Sequence, residues 1–237
     1  MITLIQYLLA VVSGVLVGFS LGLIGGGGSI LAVPLFLYFV GLDSLPDAAH
    51  IAIGSTALAV GLNAYINSYM HLKKHNVSPR VGTLFAGVGL IGSLLGAYLG
   101  HITPGTSLLI YFSIAMIVLG AYMAIRREST KPGTSDEIPR VMESLKKCPK
   151  LTPSTAAKVG GAGFVVGLVS GYFGIGGGFL IVPSLMFSAG LCITRAIGTS
   201  LLSVGTFGVA SGAEYAVYGD VLILVSLLYV LGGALGG

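Results

Sequence analysis

Charge is scarce in this chain. Of 237 residues only 8% are Asp, Glu, Lys or Arg, 54% are apolar, and the mean hydropathy is +0.97. So little charge cannot cover the surface of a soluble domain of this size. Apolar stretches of about 20 residues recurring along a chain read instead as membrane-spanning helices. Basic residues are nearly missing from both ends, since eleven of the twelve Lys and Arg fall between Lys73 and Lys158. The net charge of +4 is therefore a topology signal in loops and not a footprint for nucleic acid. Cysteine is limited to Cys148 and Cys192, which gives no disulfide framework. His50, His71, His75 and His101 sit at expected helix ends or loops and make no metal spacing such as H-E-x-x-H. No ATP-binding loop is present. Ser29, Ser55 and Ser200 have no His at matching depth, so an intramembrane enzyme ranks low and no cofactor or metal is implied. The first ten residues lack the basic start of a signal peptide and read as the first spanning helix.

What the chain has in quantity is glycine, and its placement organises the rest. Gly25-Gly26-Gly27-Gly28-Ser29 interrupts one apolar run, and Gly174-Ile175-Gly176-Gly177-Gly178 interrupts another; Pro34 and Pro183 follow. Each Gly inside a helix costs about 1 kcal/mol against Ala, so two such clusters at equivalent places mark helix breaks. The apolar run over 2–42 is also too long for one span, because about 1.5 Å per residue would carry it to twice the hydrocarbon thickness. The spacing predicts helices over 2–22, 27–41, 50–71, 81–99, 107–125, 155–172, 177–190 and 194–217, with a ninth apolar run opening at Asp220. The second of these is short enough to be tilted or re-entrant. Residues 127–154 form a polar linker between a first repeat over 1–126 and a second over 155–237.

The two halves resemble each other. A shift of 149 residues carries Gly18 onto Gly167 and Pro34 onto Pro183, and a shift of 144 carries Ala52-Ile-Gly-Ser-Thr56 onto Ala196-Ile-Gly-Thr-Ser200. Weak internal symmetry with interrupted segments in matching places is the pattern of transporter repeats. The basic loop at Lys73, Lys74 and Arg80 and the linker both belong in the cytoplasm by the charge rule. If the second helix crosses, five crossings per half give two repeats of inverted topology in an all-α, polytopic membrane protein; if it is re-entrant, the count per half becomes even and the repeats parallel. The ending Leu231–Gly237 resembles Ile91–Ala97, inside the fourth helix. From this the complete fold is expected to continue past Gly237 by about one helix.

Broken helices expose backbone N–H groups, and helix starts attract anions. The expected cargo is therefore a small anion held where four elements meet. Gly25, Gly27, Gly28 and Ser29 form one, and Gly174, Gly176, Gly177 and Gly178 a second. Ser55 with Thr56, and Thr199 with Ser200, supply hydroxyls on the other two. Against this stands simple packing: glycines that let helices approach and hydroxyls that bond back to their own helix. Asn63, with Asn67 one turn on, adds amide donors in the first half alone, because the equivalents are Phe207 and Ser211. Arg195 and Glu214 are candidates for gating or coupling. Coupling would use a proton, with Glu214 as carrier, or sodium through unwound carbonyls. An anion channel is the alternative that sequence cannot separate from a carrier. Neither the oligomeric state nor the direction of transport is legible.

The doubled motifs Gly25-Gly-Gly-Gly-Ser-Ile-Leu-Ala-Val-Pro34 and Gly174-Ile-Gly-Gly-Gly-Phe-Leu-Ile-Val-Pro183, with Ala196-Ile-Gly-Thr-Ser200, resemble the TauE/SafE sulfite exporter family. The resemblance covers nearly the whole chain. It implies a multi-pass inner (plasma) membrane protein that transports sulfite or another sulfur-containing or organic anion. The second copy fits the family pattern better than the first, where Gly26 stands for Ile and Ser29 for Gly.

Overall fold

The computed structural model describes residues 4–43, 47–127, 153–174 and 178–237. Gly176, Gly177 and nearly all of the expected linker lie outside the described residues. Among those described there is no strand. The first helix, α1, covers Leu4–Ile24. α2 follows without a gap, as a 3₁₀ stretch Gly25–Leu31, one α turn Ala32–Pro34 and a π turn Leu35–Phe39. The remaining helices are α3 (Ala48–Lys73), α4 (Pro79–Ile102), α5 (Gly105–Arg127), α6 (Pro153–Phe173), α7 (Gly178–Ala189), α8 (Ile193–Tyr218) and α9 (Ile223–Gly236).

The break in the first half is thus a change of helical pitch and not an open loop. Gly25 turns the chain with φ 72°, and the glycines behind it wind as 3₁₀ helix. Pro34 brings no N–H, so the ladder must loosen after it. It does so by one residue: Val40 N–H reaches Leu35 O and Leu42 N–H reaches Leu37 O, each at 3.0 Å, with π spacing. The apolar run expected from Asp220 starts as helix only at Ile223, because Asp220–Leu222 are used to turn the chain.

Among the described residues five helices are long and apolar enough to span: α1, α3, α4, α6 and α8. α3 and α8 form the centre, with 67% of each apolar window buried against 33% for α1. They run antiparallel, since Gly54 meets Tyr215, Gly61 meets Gly208 and Val209, and Gly205 meets Tyr65. α4 lies parallel to α6 on one side and α1 parallel to α9 on the other. Both side pairs are glycine seams. Gly163, Gly167 and Gly171 of α6 face the backbone of Phe85, Gly89 and Ser93, and a Cβ at any of them would collide. Gly14 and Gly18 of α1 face the backbone of Tyr229 and Gly233 in the same way. Lipid tails give no hydrophobic push between helices, so backbone-to-backbone packing at small residues supplies the attraction.

These seams fix the repeat register. Phe85 matches Tyr229 and Gly89 matches Gly233, each 144 residues apart. Residues 231–237 therefore correspond to 87–93, one helical turn earlier than the likeness to Ile91–Ala97 suggested. Glycines spaced along one helix face look alike at every turn, and only contacts choose among turns. The seams also show that the halves interlock. The first helix of each half packs on the fourth helix of the other, and α2 packs on α7.

Candidate functional site

The two break glycines are seated reciprocally. Gly25 (φ 72°) lies against Ile197 and Ser200 of α8; a Cβ there would come within 2.9 Å of Ile197 Cγ2 and 3.2 Å of Ser200 Oγ. Gly174 (φ 62°) lies against Ile53 of α3, where a Cβ would come within 2.9 Å of the Ile53 carbonyl oxygen. Gly25 and Gly174 are repeat equivalents, and so are Ile53 and Ile197. Each break thus rests on the repeat-equivalent isoleucine of the opposite half. Both the left-handed φ and the missing space demand glycine.

The hydroxyls divide into two kinds, again in equivalent pairs. Thr56 Oγ1 donates to Ala52 O at 2.6 Å, and Ser200 Oγ donates to Ile197 O at 2.8 Å, both within their own helices. Ser55 Oγ accepts the N–H of Leu222 at 2.9 Å, and Thr199 Oγ1 accepts the N–H of Ser78 at 3.0 Å. Leu222 and Ser78 are the residues just before α9 and α4, and they too are 144 apart. Ser55 and Thr199 therefore satisfy a donor at the start of the other half's fourth helix. Accepting one bond still leaves each hydroxyl its own O–H proton. Ser29 is fully buried, as are the backbones of Gly25, Gly28 and Gly178.

Asn63 stands apart from the breaks. It lies eight residues beyond Ser55 on α3, about 12 Å along the axis. Its amide faces Gly233 of α9. Phe207, the equivalent on α8, faces Gly89 of α4 in the same way. Phe207 fills its place with a ring packed 6.2 Å from that of Phe85. Asn63 is 0% exposed, and among the described residues neither Nδ2 nor Oδ1 has a hydrogen-bond partner. An unpaired buried amide costs roughly 1–3 kcal/mol, and the fold evidently accepts an apolar side chain at this place. Asn67 caps its own side, with Nδ2 donating to Asn63 O at 3.1 Å.

Arg195 is half-buried in the first turn of α8, and Glu214 is half-buried in its last. Their separation of nineteen residues spans about 28 Å, close to a full hydrocarbon thickness. They serve opposite ends of the bundle and cannot act on each other. Sequence reasoning missed one group altogether. His101 Nδ1 lies 3.2 Å from Asp220 Oδ2, across 119 residues of chain. No local spacing could announce that pair.

The two breaks do not meet: Gly25 sits on Ile197 near the start of α8, whereas Gly174 sits on Ile53, whose neighbour Gly54 meets Tyr215 near the other end of α8, about 27 Å along that helix, so the four elements expected to surround one anion are divided between opposite ends of the bundle. These features define a class: a polytopic helical membrane protein of two interlocked halves, each with a broken helix seated on the other half. Among known families, sulfite exporter TauE/SafE matches residues 10–237. The chain belongs to the TauE/SafE family and is a membrane transporter by class. A "Probable membrane transporter protein" of Xylella fastidiosa (strain Temecula1) is 42% identical over 235 residues, covering 99% of this chain and 84% of the relative. The "Probable membrane transporter protein YunE" of Bacillus subtilis is 28% identical, covering 98% of this chain and 86% of the relative. No solved structure matches the chain.

Proposed function

We propose that this protein is a secondary transporter of a small anion, with sulfite or another sulfur-containing or organic anion as cargo. It works by alternating access between two repeats of inverted topology in the cell's inner membrane. The observation that carries this reading is the reciprocal seating of Gly25 on Ile197 and Ser200 and of Gly174 on Ile53. A pair of breaks each held by the other half gives two equivalent arrangements, and exchanging them would turn the site from one side to the other. The antiparallel run of α3 on α8, its repeat equivalent, supports inversion. Anion charge is met at one end of the bundle by backbone N–H groups at the start of α2 and by Ser200, one χ1 rotation away from the Gly25 break, and at the other end by those at the start of α7. Asn63 supplies amide donors deeper in the first half. Arg195 belongs at the cytoplasmic end of α8, where the basic loop at Lys73, Lys74 and Arg80 also lies.

The test is sulfite counterflow in proteoliposomes of the full chain. Saturable exchange is expected, falling at least tenfold in Ser200→Ala and in Asn63→Leu. Neither variant should melt lower by more than a few degrees, because among the described residues Ser200 bonds within its own helix and Asn63 has two unpaired atoms to lose. Flux that never saturates would indicate a channel. Wild-type exchange rates in both variants would remove these side chains from the anion's path.

A further inference from the structure

The end of the bundle that carries the α4–α5 and α8–α9 turns holds a titratable cluster outside the helix breaks. His101, in the last turn of α4, is at its centre. Its Nδ1 is 3.2 Å from Asp220 Oδ2, and its ring stacks on Tyr218 at 3.8 Å. From α3, His50 meets it edge-on at 6.0 Å while bonding the Thr103 carbonyl through Nε2 at 3.0 Å. From α8, Tyr215 lies edge-on at 6.4 Å, and Glu214 is the second carboxylate within electrostatic reach. From α6, Tyr172 reaches the adjoining Thr103 hydroxyl at 3.3 Å. Glu214 Oε2 and Tyr215 OH are buried without a hydrogen-bond partner among the described residues. The imidazole is thus bonded to one carboxylate, and a second, next in sequence to its neighbour Tyr215, has a buried oxygen without a partner.

The repeat provides an internal control. At the 144-residue shift, Glu214 and Asp220 correspond to Met70 and Asn76, which do not ionise. The fold builds the same turn without them, so packing alone does not call for two acids here. The cluster is also joined to the Gly174 break. The Asp220 carbonyl sits against Gly54, and Ser55 Oγ takes the N–H of Leu222, two residues on. Ile53, the next residue back along α3, is the seat of Gly174.

We propose that His101, paired with Asp220 at the end of the bundle where Glu214 is buried, is the proton-binding site that couples this transporter to a proton gradient, with the Asp220 turn linking its protonation to the Gly174 break. This rests on the transport function argued above. A proton from water on one side adds to the imidazole, which then carries N–H on both nitrogens and donates to Asp220. It leaves as a proton to water on the other side, and nothing is oxidised or reduced. Loaded, the cluster's two carboxylates face one cation; unloaded, they face none, and their repulsion loosens the turn from α3.

The experiment uses the full chain in proteoliposomes with sulfite as probe, recording exchange at equal pH and accumulation under an imposed pH gradient. Wild type should accumulate sulfite at least tenfold over the ungraded level, with matching proton movement seen by an internal pH dye. His101→Gln should keep equal-pH exchange within about threefold and lose gradient-driven accumulation. Glu214→Gln should do likewise, and thermal melting of both variants checks that they fold. Wild-type exchange without any response to the gradient would overturn this inference and leave the transport function standing, as would a His101→Gln protein that still accumulates. Wild type that exchanges neither sulfite nor thiosulfate, sulfoacetate or acetate would overturn both.

Discussion

Gly174→Ala should be far more damaging than any glycine replacement judged by sequence alone. Two independent terms act at this position. An L-residue held at φ 62° costs about 1–2 kcal/mol. The added Cβ would also meet Ile53, whose backbone oxygen would lie only 2.9 Å away. Backbone cannot swing aside as a side-chain tip can, so overpacking adds about 1–3 kcal/mol. The sum is about 2–5 kcal/mol, or about 4–20 °C in melting temperature for a chain of this size. Two controls separate the terms. Gly190→Ala has φ 63° but nothing within 4 Å of the new Cβ, so it carries the backbone cost alone. Gly87→Ala has no unusual φ and equally open space, so it should be neutral or gain up to about 1 kcal/mol from helix propensity. The assay is thermal unfolding of the detergent-solubilised protein for all three. If Gly174→Ala falls no further than Gly190→Ala, the break does not rest on α3, and the reciprocal seating that carries the functional argument is refuted.

Two further outcomes follow from the same geometry. Ser55→Ala and Thr199→Val each leave a backbone N–H, of Leu222 or Ser78, without its acceptor; each should cost about 1–3 kcal/mol by the same melting assay. His75 has φ 56° at the place where the second half has Gly219 (φ 87°), so His75→Gly should raise the melting temperature by about 1–4 °C; a lower value would mean that the imidazole makes a contact worth more than the strain.

Composition alone determined the class, because 8% charge leaves no soluble alternative. Among the described residues most helix boundaries followed from apolar run length against bilayer thickness. The repeat was legible because the same backbone demands recur: glycine at 25 and 174, and a hydroxyl at 55 and 199. What those residues do was not legible. Only the tertiary structure decided that Ser55 and Thr199 serve the opposite half's fourth helix, that Thr56 and Ser200 bond inward, and that Asn63 is left unpaired where Phe207 is packed. The His101–Asp220 pair and the four-residue register of the last helix were likewise hidden. The physical reason is the same in each case. Periodicity and propensity act within a few residues of chain, whereas partner choice across 119 or 144 residues is settled by which helices can bring their backbones together at glycine.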